Sequence, residues 1–148
     1  EKYNLTMEVT HHGPLIDIPC CFIEVGSSVD EWNDLDACKT VAKTIASLQN
    51  YKPNPSWIPT IAIGGLHYAP PFNKIQLNSN YAISHVIPEY CLPLTQEMIR
   101  EALNKTEEEV DVILLDWKGL GKAGDREEVM DILKVYNIPI KRTSKVPK

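Results

Sequence analysis

The sequence predicts an α/β fold, with a mixed, largely parallel sheet flanked by helices. Three observations lead there. The runs Ile58 to Ile63 and Val110 to Leu115 are almost wholly apolar at strand length, the profile of strands covered on both faces. Between and around them lie segments with apolar residues at helical spacing, opened by capping residues near Ser28, Thr95 and Asp125. The connections are short, as packed βα units require.

Taken in order, Lys2 to Val9 alternates and reads as a strand, stopped by Gly13 and Pro14. Ile18 to Val25 is a short apolar run that reads as a buried strand. Ser28 and Glu31 form a capping box, and Trp32, Leu35, Cys38, Val41, Ala42 and Ile45 follow at helical spacing. This predicts one long helix to about Tyr51 with that stripe in the core, ended by Pro53 and Pro55. Ile58 to Ile63 is a central strand that runs into the Gly64 to Pro71 loop, and Tyr81 to Ile87 is a further strand. Thr95 caps a short helix, Val110 to Leu115 is the second wholly apolar strand, and Asp125 with Glu128 suggests another capping box. Ile138 to Lys141 closes the order as a final strand.

A chain of 148 residues, 43% hydrophobic and 24% charged, fits a single domain spanning 1–148 with a real core. Its apolar runs fall short of the roughly 20 residues that cross a bilayer, so a soluble cytoplasmic protein without membrane partners is expected. Opening on Glu1 and entering a strand at once, the chain reads as a piece of something longer. A net charge of -5 argues against general coating of a polyanion and confines any nucleic-acid contact to a local surface. The four cysteines form no C-x-x-C pair, so a zinc ribbon or disulfide framework is not expected and buried free thiols are.

The chemistry-bearing residues gather at strand ends. His11 and His12 stand before the Gly13-Pro14 break, and His67 and Tyr68 follow Gly64 and Gly65 beyond a central strand. Ligands of open α/β sheets bind at such ends. Neighbouring residues of an extended segment face opposite ways, so only one of the histidine pair is expected to serve a pocket, and His12 is the choice. Glu24 is either a strand-end acid facing the ligand or an ion-paired structural residue, and His85, inside a strand, reads equally as an interior histidine. With Asp116 at the end of another strand, the set permits either a divalent metal activating water or a metal-free histidine base. The Lys118 to Gly124 loop has two lysines and three glycines before a helix, which favours an anion, yet its spacing is not that of a Walker loop.

The strings T-H-H-G-P (Thr10 to Pro14), F-I-E-V-G-S (Phe22 to Ser27), the Glu31-Trp32 pair, G-G-L-H-Y-A-P (Gly64 to Pro70) and D-W-K-G (Asp116 to Gly119) resemble the D-aminoacyl-tRNA deacylase family of archaea and plants. The resemblance runs from Glu1 to about Ile140, in the family's order, and corresponds to the C-terminal part of its members. Leu66 stands where the family usually has glycine. The resemblance implies a fold similar to peptidyl-tRNA hydrolase and phosphorylase-type domains. It further implies zinc as cofactor, and hydrolysis of the ester joining a D-amino acid to tRNA, a step of translation quality control.

On that basis His12, His67, Glu24, Tyr68, Gly64 and Gly65 are candidates for catalysis, with the two glycine amides near the oxyanion. His11, His12, His67 and Asp116 are candidate metal ligands, and Thr10, Gly13, Lys118 and Lys122 candidate substrate contacts. A monomer acting on D-aminoacyl-tRNA is expected. The rivals are a peptidyl-tRNA hydrolase-like enzyme and a non-catalytic RNA-binding domain on the same fold.

Overall fold

A computed structural model describes residues 3–11 and 16–146 of the chain. The chain separates into two compact units: residues 1–5 with 20–55, and residues 6–19 with 56–148.

The larger unit is built on four parallel strands, β1 (Ile58–Ile63), β2 (Tyr81–Ile87), β3 (Val112–Leu115) and β4 (Ile140–Arg142), in the order β2-β1-β3-β4. Each crossover needs a covering helix. These are α3 (Pro70–Asn78) between β1 and β2, α4 (Gln96–Asn104) between β2 and β3, and α5 (Ala123–Leu133) between β3 and β4. The expectation of a largely parallel sheet is met by one in which every described pairing is parallel.

Alternation along the strands fills two cores. Ile61, Ile63, Ile113 and Leu115 meet Ile99, Leu120, Val129 and Leu133 on the face of α4 and α5. Ala62, Val86, Val112 and Leu114 meet Phe72 and Ile75 of α3 on the opposite face. Because the chain leaves β1 towards β2 and later returns to place β3 on β1's other side, the strand order reverses between β1 and β3. Their carboxyl ends open the crevice where such sheets receive ligands.

Local chemistry accounts for the helix starts. The Thr95 hydroxyl accepts the Met98 N–H at 3.2 Å, as its position before a helical stripe predicts. The last helix begins two residues earlier than Asp125, because Asp125 itself reaches back and accepts the Lys122 N–H at 2.6 Å. Helix α3 is a departure from the sequence reading, which carries no element between Gly64–Pro71 and Tyr81. Pro70 and Pro71 occupy its first turn, where missing N–H groups cost nothing, and only Phe72 and Ile75 are buried, too few to mark a stripe.

The smaller unit differs most from expectation. Its one long helix is two, α1 (Val29–Trp32) and α2 (Leu35–Ser47), because the Asp34 side chain accepts the Asp36 and Ala37 N–H groups and starts a new helix. The expected capping contact is present: Glu31 accepts from the Ser28 N–H at 2.9 Å and from its hydroxyl, and these bonds hold the Glu31 carboxyl below its ordinary range. The apolar stripe is not a core. Trp32 is 55% and Leu35 81% exposed, and Ala37 is the buried residue of α2.

Neither early strand forms. Tyr3 to Val9 and Ile18 to Val25 have no regular secondary structure, and Ile18, Phe22 and Ile23 are exposed. Alternation and apolarity set a strand's preference, but a ladder partner decides whether it exists. The cysteines are free, as expected, yet Cys20, Cys21 and Cys38 are exposed rather than buried.

Candidate functional site

The segment before His11 is tied to the sheet by its backbone. The Val9 N–H donates to the His67 carbonyl at 3.0 Å, and the Thr10 N–H to the Val86 carbonyl at 3.0 Å. The Thr10 hydroxyl accepts the Val86 N–H at 3.1 Å, completing a latch onto the end of β2, while Val9 is buried in the α3 core. This latch carries Glu8 and His11 to the loop that follows β1.

There the side chains of Glu8, His11 and His67 converge, their ligand atoms within 4.8 Å of one another. Glu8 Oε2 lies 3.7 Å from His11 Nε2 and 3.9 Å from His67 Nε2. The two imidazoles meet edge to face at 4.5 Å, and Tyr68 packs against His67 at 4.9 Å. His11 Nδ1 sits 2.6 Å from the Val9 carbonyl oxygen. A carbonyl only accepts, so Nδ1 bears the proton, and in the neutral ring Nε2 turns a lone pair towards Glu8.

A lone pair facing a carboxylate calls for a cation or a proton between them. Two imidazoles and one carboxylate form a donor set used by catalytic zinc sites. Ligand atoms of a tetrahedral zinc lie ~3.4 Å apart, close to the two separations here. The Val9 carbonyl behind His11 is the orienting partner that metal-bound imidazoles ordinarily have. The residues therefore fit the ion.

Several other candidates take different places. His12 and Gly13 lie outside the described residues. Glu24 is exposed in the smaller unit. Asp116 is apart from the cluster: its carboxylate lies against Gly65 and Gly119 in the β1–β3 crevice, 3.3 Å from where a Gly65 Cβ would stand.

The glycine amides are a correction. Gly64 donates its N–H to Ile87 at 2.8 Å and Gly65 to Gly119 at 3.4 Å, so both are engaged by backbone carbonyls rather than aimed at an oxyanion. What the glycines provide is conformation. Their φ angles of 97° and 83° are left-handed, and the Gly119 backbone packs directly on Gly65.

In the Lys118 to Gly124 loop the correction concerns the helix N-terminus alone. Asp125 already occupies the helix N-terminus expected to attract an anion, leaving Lys118 and Lys122 exposed beside it. His85 is a structural bridge: its Nε2 faces the Lys105 carbonyl and its Nδ1 the Thr10 hydroxyl, each at 3.3 Å.

The sequence reading missed Glu8. Its signal was present, an acid three residues before His11, but a segment read as a strand placed the two on opposite faces.

Comparison with known proteins decides the family. Residues 1–141 match the family model described as D-aminoacyl-tRNA deacylase. The chain belongs to the D-aminoacyl-tRNA deacylase family.

Among its relatives, the D-aminoacyl-tRNA deacylase of Thermococcus kodakarensis is 43% identical over 119 residues, 79% of this chain and 43% of that protein. The deacylase of Archaeoglobus fulgidus is 32% identical over 149 residues, 99% of this chain and 52% of the relative. A crystal structure of a conserved protein of unknown function superposes with a TM-score of 0.83 at 31% identity, covering 95% of this chain and 49% of that one. The chain thus spans about half the length of the deacylases it matches. Among the described residues no helix is long and apolar enough to cross a membrane.

Proposed function

We propose that this protein hydrolyses the ester of D-aminoacyl-tRNA, releasing free tRNA and D-amino acid. The observation that carries the reading is the Glu8, His11 and His67 cluster at the carboxyl edge of the sheet in a chain of the deacylase family. A substrate of aminoacyl-tRNA is in keeping with a cytoplasmic protein, and a monomer is the proposed state.

Zinc is the proposed cofactor, held by Glu8, His11 and His67. When bound, such an ion polarises a carbonyl and lowers the pKa of a coordinated water. The chain's own groups do the rest. The Val9 carbonyl fixes the His11 tautomer, and the latch through Thr10 holds Glu8 and His11 in register with His67. In this reading Tyr68, exposed beside His67, gives its phenolic proton to the ribose oxygen as the ester bond breaks, an assignment supported by its contact with His67 and its exposure.

The test is release of D-tyrosine from D-tyrosyl-tRNA against L-tyrosine from the L-ester. Faster release of the D-amino acid is expected. Equal rates on the two esters, or hydrolysis of N-blocked peptidyl-tRNA alone, would transfer the assignment to the peptidyl-tRNA hydrolase reading.

A further inference from the structure

The carboxyl edge that carries His67 continues across β3 and β4 to a second group of residues. Trp117 follows β3 and Arg142 ends β4. The Arg142 guanidinium lies 3.6 Å above the Trp117 ring, and that of Arg126, from α5, approaches the same ring at 5.5 Å. Neighbouring strands are ~4.8 Å apart, so the end of β4 stands only ~10 Å along the edge from that of β1.

The two arginines are uncommitted where nearby cations are not. Lys134 pairs with Asp131 at 2.7 Å, and Lys141 donates to the Tyr81 hydroxyl at 3.0 Å. Among the described residues neither guanidinium donates a hydrogen bond or meets a carboxylate, and Arg126 Nε is sealed from solvent without a partner. Contact with the Trp117 ring orients the guanidiniums and leaves their terminal Nη donors for an outside anion. A cleft of about 360 Å³, lined by Trp117, Arg126, Met130 and Lys134 together with the acids Glu127 and Asp131, opens beside them.

We propose that Arg126 and Arg142, oriented by Trp117, clamp backbone phosphates of the RNA substrate. Of the two acids lining this surface Asp131 is already paired with Lys134, so the two guanidiniums stand as unpaired cations, the local charge that RNA binding by a chain of net charge -5 requires. Exposed Lys118 and Lys122 flank it. The clamp rests on the proposed reaction only for the kind of anion, so its test measures binding without catalysis.

Uncharged tRNA carrying a fluorophore is titrated with the protein at several salt concentrations. The Arg126→Gln/Arg142→Gln double variant is expected to bind roughly tenfold more weakly at moderate salt, with a salt slope reduced by about two units. A Lys39→Gln/Lys43→Gln control on α2 removes the same charge and should leave both unchanged. If the double variant unfolds, Arg142→Gln alone carries the test, with a slope change of about one. Wild-type affinity and slope in the variant, or an equal loss in the control, would overturn the clamp, as would absence of tRNA binding by the wild type. Loss of binding in the variant of a protein that shows no deacylation would retain the clamp and remove the reaction.

Discussion

His11 and His67 pack edge to face at 4.5 Å with their planes at 62°, one ring delivered by the N-terminal segment and the other by the loop after β1. An ion held by both therefore staples the N-terminal segment to the sheet. Zinc added to metal-free protein should raise the melting temperature and bind at one equivalent. Glu8→Gln, His11→Ala and His67→Ala should each weaken zinc binding by ~10²-fold or more and lower deacylation similarly. Isothermal titration beside thermal melts checks this, and full zinc affinity in the three variants would remove the assignment.

The Thr10 latch predicts a different phenotype. Thr10→Val keeps the shape but leaves the buried Val86 N–H without its acceptor, a loss of about 1–3 kcal/mol. The variant should melt earlier and bind zinc more weakly, since Glu8 and His11 are positioned from this point. His85→Ala removes only the bridge behind Thr10 and should lower stability with little change in zinc stoichiometry. Zinc lost in His85→Ala without a stability change would make His85 a ligand instead.

Gly119 is the most sterically constrained position of the crevice. A Cβ there would stand 2.6 Å from the Gly65 nitrogen and 2.8 Å from an Asp116 carboxylate oxygen. Gly119→Ala is expected to cost about 1–3 kcal/mol by overpacking, and chemical denaturation measures it. Gly26→Ala, whose Cβ would meet nothing within 4 Å, is the comparison and should be near neutral.

A pH response in the acid range comes from Asp17. The Lys105 ammonium donates to its carboxylate and also, at 2.9 Å, to the Ile16 carbonyl; this hydrogen bond and charge hold the Asp17 carboxyl below its ordinary range. An acid with a lowered folded pKa contributes stability above its unfolded value and loses it as pH falls through the folded one. The contact is solvent-exposed, so a small effect is expected, confined to acid pH. NMR titration of Asp17 should show its midpoint rise in Lys105→Met, and an unmoved midpoint would refute the pairing.

The sheet was legible because its strands state their burial directly. Ile58 to Ile63 is recovered residue for residue, and β3 within two residues, since apolar runs of that length leave a parallel strand few alternatives. The N-terminal third was not, because its preferences depend on partners that the residues do not name. Trp32 and Leu35 look like core by spacing but are exposed, and Glu8 looks like a solvent acid until a chain that bends at Thr10 brings it to His67. The glycine loop was read correctly as special and incorrectly in its use, for sequence shows which backbone is permissive but not where its N–H groups point.

The strand order has a consequence for how the molecule forms. Thr60 of β1 pairs with Val112 of β3, about fifty residues later, and the intervening chain holds two helices and a strand. Closing such a loop loses entropy before any contact compensates it, so parallel centre strands join slowly. The crevice between β1 and β3 has no precursor in any local hairpin or helix. Folding intermediates with α3 docked on β1 and β2 would have a nearly complete His67 loop while the β3 side is still open, so binding in the β1–β3 crevice would report the last step of folding rather than the first.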